Sequence, residues 1–193
     1  EKLDRIVDAL IKRNRITFRN VDFKNKAQFK QDVETIKTIY NEAWEPNWGF
    51  VKMTDEEFDF LADDLKQIAD PDYVFFAEID GQVAGFILAL PNINQSLIHN
   101  RSGNLLTGVW HLLTKKKKIT LLRIVVLGVR PNYQKLGVDA ALYHEVGRRS
   151  APRGITHGEA SWILEDNVMM NRAATQTMKG ELYRRYRIYE KAL

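Results

Sequence analysis

Between Leu121 and Glu145 the sequence reads LLRIVVLGVRPNYQKLGVDAALYHE, and here residue types and their order first suggest chemistry. Leu121 to Val129 is apolar except for Arg123 and Gly128, which suits a strand buried on both faces. Arg130-Pro131-Asn132 ends it, because Pro131 fixes φ and offers no amide to a ladder. From Gly137 the period changes, with Val138, Ala141, Leu142 and Val146 recurring at helical spacing. A strand, a tight turn and a helix start in that order can hold an anion. The first helical amides have no intrahelical partner, and the helix dipole adds partial positive charge. Gly137 removes a Cβ where a phosphate would approach the backbone. The same local order occurs in α/β proteins that bind nothing there, so the residue string has to carry the distinction.

The string from Val129 to Val138, VRPNYQKLGV, resembles the pyrophosphate-binding segment of the GCN5-related N-acetyltransferases, the GNAT superfamily. The resemblance implies that Gln134, Lys135, Leu136, Gly137, Val138 and Asp139 hold the pyrophosphate of acetyl-CoA or another acyl-CoA. It also implies that backbone groups of Leu127 and Val129 pair with the pantetheine arm. Asp139 departs from the family pattern, which has Gly or Ala there. A carboxylate suits the first turn of an empty helix but repels a diphosphate if it points inward.

Acyl transfer from a thioester to an amine needs a base for an amine of pKa about 10, donors for the oxyanion, and a proton or positive field for the thiolate. Members of the superfamily commonly use a carboxylate near the fourth strand as base and a tyrosine on the last helix as acid. Ile119 to Val129 contains no carboxylate, and the tyrosine position holds Ala174, or Met178 in a shifted register. The substitutes are Glu159 as base and Tyr183 as acid, with Ser161 on the same strand face as Glu159 and assigned to substrate. The bland reading of these residues is solvated strand positions and sheet packing. Asn167, in ILEDN, matches the asparagine that opens the family's last helix, which implies a bond to the cofactor. The histidines show no ligand spacing and no metal is expected.

Two further stretches stand out. Trp44, Trp48 and Phe50 lie within seven residues, where the family forms one wall of the acceptor site. They read as substrate-binding or as packing of a helix junction. Leu105 to Leu113 followed by four lysines suggests either an amphipathic turn on an anionic membrane or, as the stronger explanation, a solvated loop. No motif supports nucleic acid.

The elements that must position these residues follow from periodicity. A helix over 1–14 reads as a linker or docking element. Strands are expected at 16–22, 73–79, 82–90, 121–129, 155–164 and 181–191, and helices at 29–45, 54–69, 105–113, 137–147 and 167–178. Thr54-Asp55-Glu56-Glu57 is a capping box, and Asp80-Gly81 is a tight hairpin. This order resembles the GNAT fold: an α+β, α/β/α layered domain over 15–193, with a mixed, mostly antiparallel sheet splayed between strands 4 and 5. GEASWILEDN and YRRYRIYEKAL are similar to the C-terminal domain of bacterial tandem-GNAT proteins, which implies a second GNAT-like domain.

The 193 residues are 45% hydrophobic and 28% charged, enough for one domain with its own core. Without cysteine there is no thiol nucleophile or disulfide framework, which is compatible with a cytoplasmic setting. The net charge of +4 favours anionic partners. The expected function is acyl-CoA-dependent N-acyltransfer, first of all N-acetyltransfer, to a small-molecule or lipid amine. The alternatives are long-chain acyl transfer to a lipid amine at a membrane surface, or a non-catalytic CoA-binding or docking domain.

Overall fold

A strand as apolar as residues 121–129 needs cover on both faces, and the fold is arranged around supplying it. The computed structural model describes residues 2–191, which divide into two units, Glu1–Glu159 and Ala160–Leu193. In the first unit, helix α1 (Lys2–Arg13) precedes β1 (Ile16–Asn20), α2 (Lys26–Trp44) and α3 (Asp55–Ile68). Then come β2 (Val74–Ile79), β3 (Gln82–Pro91), the short α4 (Asn94–Leu97), α5 (Leu105–Lys115), β4 (Leu121–Val129) and α6 (Val138–Ser150). β5 (His157–Ala160) completes a sheet of order β1-β2-β3-β4-β5. The first four strands are antiparallel neighbours, and β5 runs parallel to β4.

Each sheet face has its own core. On one, Phe75, Ile87, Leu122 and Val129 meet Val138, Ala141, Leu142 and Val146 of α6, with Leu10 and Ile11 of α1 packed outside. On the other, Phe76, Phe86 and Leu88 meet Ile39 of α2, with Phe29, Tyr40 and Leu65 alongside. The result is the expected α/β/α layering. Local signals hold where they are self-contained. Thr54 and Glu57 form the reciprocal capping box of α3. Asp80 and Gly81 both take positive φ, 49° and 78°, the tight turn whose twist matches a hairpin.

The second unit departs from expectation. The strand expected over 155–164 is reduced to β5. The helix expected over 167–178 is α7 (Val168–Arg172), followed by a π-helical turn at Ala173–Thr177. Residues 181–191, expected as a final strand, have no regular secondary structure. Alternation gives a segment two faces but no ladder partner, and here Tyr183, Tyr186, Ile188 and Tyr189 are exposed.

Glu145 joins the layers. Buried in α6, it accepts hydrogen bonds from Arg148 Nε (2.7 Å) and Nη2 (2.8 Å) and from Arg149 Nε (2.6 Å). Arg149 also donates to Asn20 Oδ1 and the Asp72 carbonyl, and lies 4.0 Å from the centre of the Phe75 ring. Burial opposes charge on Glu145, yet the two arginines hold its carboxyl below the ordinary value. A carboxyl depressed in the folded state contributes its stability above the unfolded pKa of about 4.3 and loses it as pH falls through the folded value. Glu145→Ala is expected to lower unfolding free energy by about 3 kcal/mol at neutral pH, with less acid sensitivity below about pH 4.3. Urea titrations across pH measure both, and an unchanged midpoint would show that this cluster does not anchor α6.

Candidate functional site

β4 is paired unequally on its two edges. Against β3 the register runs from Leu122↔Pro91 to Val129↔Gly85, and it shifts between Val126↔Leu88 and Ile124↔Ala89. Val125 is therefore an extra residue opposed by nothing on β3, a β-bulge that turns the strand. At the far end Arg130 N–H donates to the Ala84 carbonyl at 2.9 Å, so that position faces β3. Backbone groups alternate along a strand, so those of Leu127 and Val129 point to the opposite edge. On that edge β5 begins opposite Thr120, whose carbonyl accepts from His157 N–H at 3.0 Å, and is only four residues long. A ladder in that register ends before Leu127. Among the described strands none pairs with β4 beyond that point on this edge, where the backbone groups of Leu127 and Val129 lie.

Beyond β4 the chain makes a six-residue 3-10 turn, Pro131–Leu136, and enters α6 through Gly137 at φ +71°. The helix's own ladder starts with Ala141 N–H donating to the Gly137 carbonyl at 3.0 Å, and no side chain caps the N-terminus. Val138, Asp139 and Ala140 present their amides ahead of that ladder. Gln134 and Lys135 are exposed beside them, and the Gln134 amide lies 3.5 Å from the Val129 carbonyl. Asp139 does not cap the turn. Tyr143, one turn on, has its phenol pushed up to about 12, by burial first and by the Asp139 carboxylate second.

The reason for glycine at 137 differs from expectation in one respect. A Cβ there would lie 2.6 Å from Leu10 Cδ1, so α1 fills the space that the absent side chain leaves. Asn14, just past α1, adds a hydrogen bond to the Leu136 carbonyl at 2.9 Å, and Asp4 lies 3.4 Å from His144. Gly137 thus serves a left-handed turn and a helix contact, and the turn's amides are a separate feature.

The opposite sheet face holds a cavity of about 140 Å³ between α2, α3 and the strands. Val33 and Tyr40 of α2, Ala62 and Leu65 of α3, and Leu88 and Val126 of the sheet line it, and Lys66 is its only charged lining residue. That is far more than the roughly 10–15 Å³ a single water needs, and the walls offer little for water to bond. Trp44 stacks on Tyr40 with ring centres 5.4 Å apart, and Phe50 packs on Tyr40 at 5.7 Å. Burial raises the Tyr40 phenol. Two of the three aromatics expected at an acceptor wall therefore gather on a residue of the cavity, while Trp48 is 71% exposed. Sequence reasoning missed the cavity because its lining comes from five separated elements.

Glu159 is neither solvated nor isolated. Its side chain is 11% exposed and accepts from Arg123 Nη2 at 3.0 Å. Arg123 pairs in register with Leu90, which belongs to the cavity-side core, so this ion pair lies on the same face as Val126. Ser161 falls just past β5 rather than within it. In the second unit, Asn167 caps α7 by accepting from Met170 N–H at 3.1 Å. Tyr183 is 62% exposed, with the Arg184 guanidinium 5.4 Å from its ring centre. Among the described residues no group of three His, Asp or Glu side chains could hold a metal, and no helix is long and apolar enough to cross a membrane.

With this geometry in place, comparison with known proteins is informative. The profile of the acetyltransferase (GNAT) family matches residues 33–174. The chain is 36% identical to Protein YghO of Escherichia coli, over 99% of its own length and 49% of that protein's. It is 37% identical to a protein of Caulobacter vibrioides named bacterial ceramide synthase, over 86% of this chain and 45% of that one. The chain spans about half the length of the curated relatives it matches. Among solved structures, AAC(6')-Iy with a CoA-S-monomethyl-acetylneamine bisubstrate analogue aligns with a TM-score of 0.56 at 16% identity, covering 92% of this chain and 99% of that one. A polyamine N-acetyltransferase of Drosophila melanogaster aligns at 0.53 and 17%, covering 84% and 82%. At such identities the likeness is one of fold.

The Leu10 contact yields a double-mutant test. Gly137→Ala is expected to destabilise the protein by about 1–2 kcal/mol from its positive φ, and further from the clash. Leu10→Ala in the same chain should recover the steric part, giving a coupling of about 1 kcal/mol in thermal or urea unfolding. Strict additivity would mean that α1 does not rest on this turn.

Proposed function

Because the chain belongs to the acetyltransferase (GNAT) family, we propose that it is an acyl-CoA-dependent N-acyltransferase whose acyl group is long and apolar and whose acceptor is a long-chain amine. The observation that carries the chain-length reading is the apolar cavity between α2, α3 and the sheet. A small acetyl group needs no such space, whereas an alkyl tail is stabilised by roughly 0.8 kcal/mol per buried CH₂. The relative named as a ceramide synthase supports the same direction, since a ceramide is an N-acylated long-chain amino alcohol.

The residues fit the cofactor. The uncapped amides of Val138 to Ala140 and the exposed Gln134 and Lys135 suit a diphosphate, and the open edge at Leu127 and Val129 suits an amide-bearing arm. Bound there, acyl-CoA supplies the activated thioester. Val125, the extra residue of the bulge, would offer its N–H to the thioester oxygen. Glu159, held by Arg123 on the cavity face, takes the proton that the acceptor amine must lose.

Thiol release measured with palmitoyl-CoA and acetyl-CoA, each against sphinganine and a short alkylamine, tests the proposal in the protein at its full natural length. Palmitoyl-CoA with sphinganine should be the preferred pair. Ala62→Trp, which narrows the cavity, should cut that turnover by about tenfold or more and spare acetyl transfer. Glu159→Gln should lower kcat roughly 100-fold with CoA binding retained. Preference for acetyl-CoA, or an Ala62→Trp variant as active as the parent on palmitoyl-CoA, would remove the long-chain reading. Binding of CoA without turnover of any pair would leave a ligand-binding domain.

A further inference from the structure

We propose that α5 and the lysine turn after it dock the protein on anionic lipid membrane. α5 is held from one side only. Asn104 caps it, accepting from Leu106 and Thr107 N–H, and buried Gly108 sits close against Asn100. Asn100 also donates to the Asn104 carbonyl and accepts from the Thr107 hydroxyl. With that side fixed, the outward face is fixed too.

That face is apolar. Leu105, Leu106, Val109, Trp110 and Leu113 are 80%, 79%, 46%, 59% and 78% exposed, and at 3.6 residues per turn they share one side of the helix. Ile98, just past α4, is also 73% exposed. Scattered exposed leucines are ordinary, but five large apolar side chains on one face of one helix make an interaction surface.

The charge around it selects the occupant. From Asn94 to Ile119, the segment that holds α4, α5 and the turn, there is no Asp or Glu, whereas Arg101 and Lys115 to Lys118 are basic. Lys116–Lys118 form an exposed 3-10 turn directly at the end of α5. An apolar stripe with a run of cations at its end suits an interface where hydrocarbon lies beside phosphate. A partner protein would be expected to meet carboxylates as well as lysines. The same turn leads through buried Ile119 into β4, so the docking segment and the strand lining the cavity are consecutive in the chain. Docking is read without turnover and stands whether or not the long-chain assignment does.

The test is co-sedimentation with phosphatidylcholine vesicles, with and without phosphatidylglycerol, read also through tryptophan fluorescence with Trp110→Phe as control. The protein should bind the phosphatidylglycerol vesicles and leave them as salt is raised. Lys116→Ala, Lys117→Ala and Lys118→Ala combined should weaken partitioning roughly 100-fold. Leu105→Ser with Leu113→Ser should abolish it while circular dichroism stays unchanged. Equal binding to both vesicle types, no binding to either, or full binding by the lysine variant would overturn the proposal. So would a stable dimer, seen by sedimentation velocity, that the leucine variant dissociates and anionic vesicles do not.

Discussion

The constraint on which the site depends is that β4 stays hydrogen-bonded to β3 along its whole length but to β5 only at its start. Arg130 at one end and Leu121, whose carbonyl accepts from Asn92 N–H at 2.9 Å, at the other still face β3, so the strand cannot drift as a unit. β5 reaches no further than four residues, and the backbone groups of Leu127 and Val129 are left on an edge inside the sheet. Unpaired strand edges are normally covered or charged, because they invite any extended chain. An edge that ends beside an uncapped helix N-terminus is instead suited to an extended ligand with an anionic end. The bulge at Val125 belongs to the same device, since it bends β4 where its second partner leaves.

How much of this the sequence disclosed depends on the range of the determining interaction. The capping box at Thr54 and Glu57, the Asp80-Gly81 turn and the strand-to-helix change at Gly137 depend on residues within a few positions, and each formed as expected. The bulge did not announce itself. Val125 is one of several apolar residues in a run, and only the register against β3 makes it the extra one. Residues 181–191 fail for the converse reason. Their alternating Tyr and Arg pattern is real, but a strand exists only in a ladder. Gly137 is the subtlest case. The sequence places a glycine there and suggests an approaching phosphate as the reason, whereas the Cβ would meet Leu10, 127 positions earlier in the chain.

The two faces of the sheet carry different chemistry, and β4 is the element common to both. On the α1 and α6 face, dipole and free amides favour negative charge, with Lys135 close by. On the α2 and α3 face, the cavity walls are hydrocarbon, interrupted chiefly by Lys66 and the Tyr40 phenol. A molecule charged at both ends would find the second face hostile, because an ion there loses hydration with few partners to replace it. A wholly apolar molecule would gain nothing from the first. A ligand with a polar, anionic head and an apolar tail would use both. The Arg123–Glu159 pair sits on the cavity face of that strand, one of the few places there where a charged group is already balanced. At that pair the carboxylate is already balanced by a guanidinium, so neither charge is buried bare.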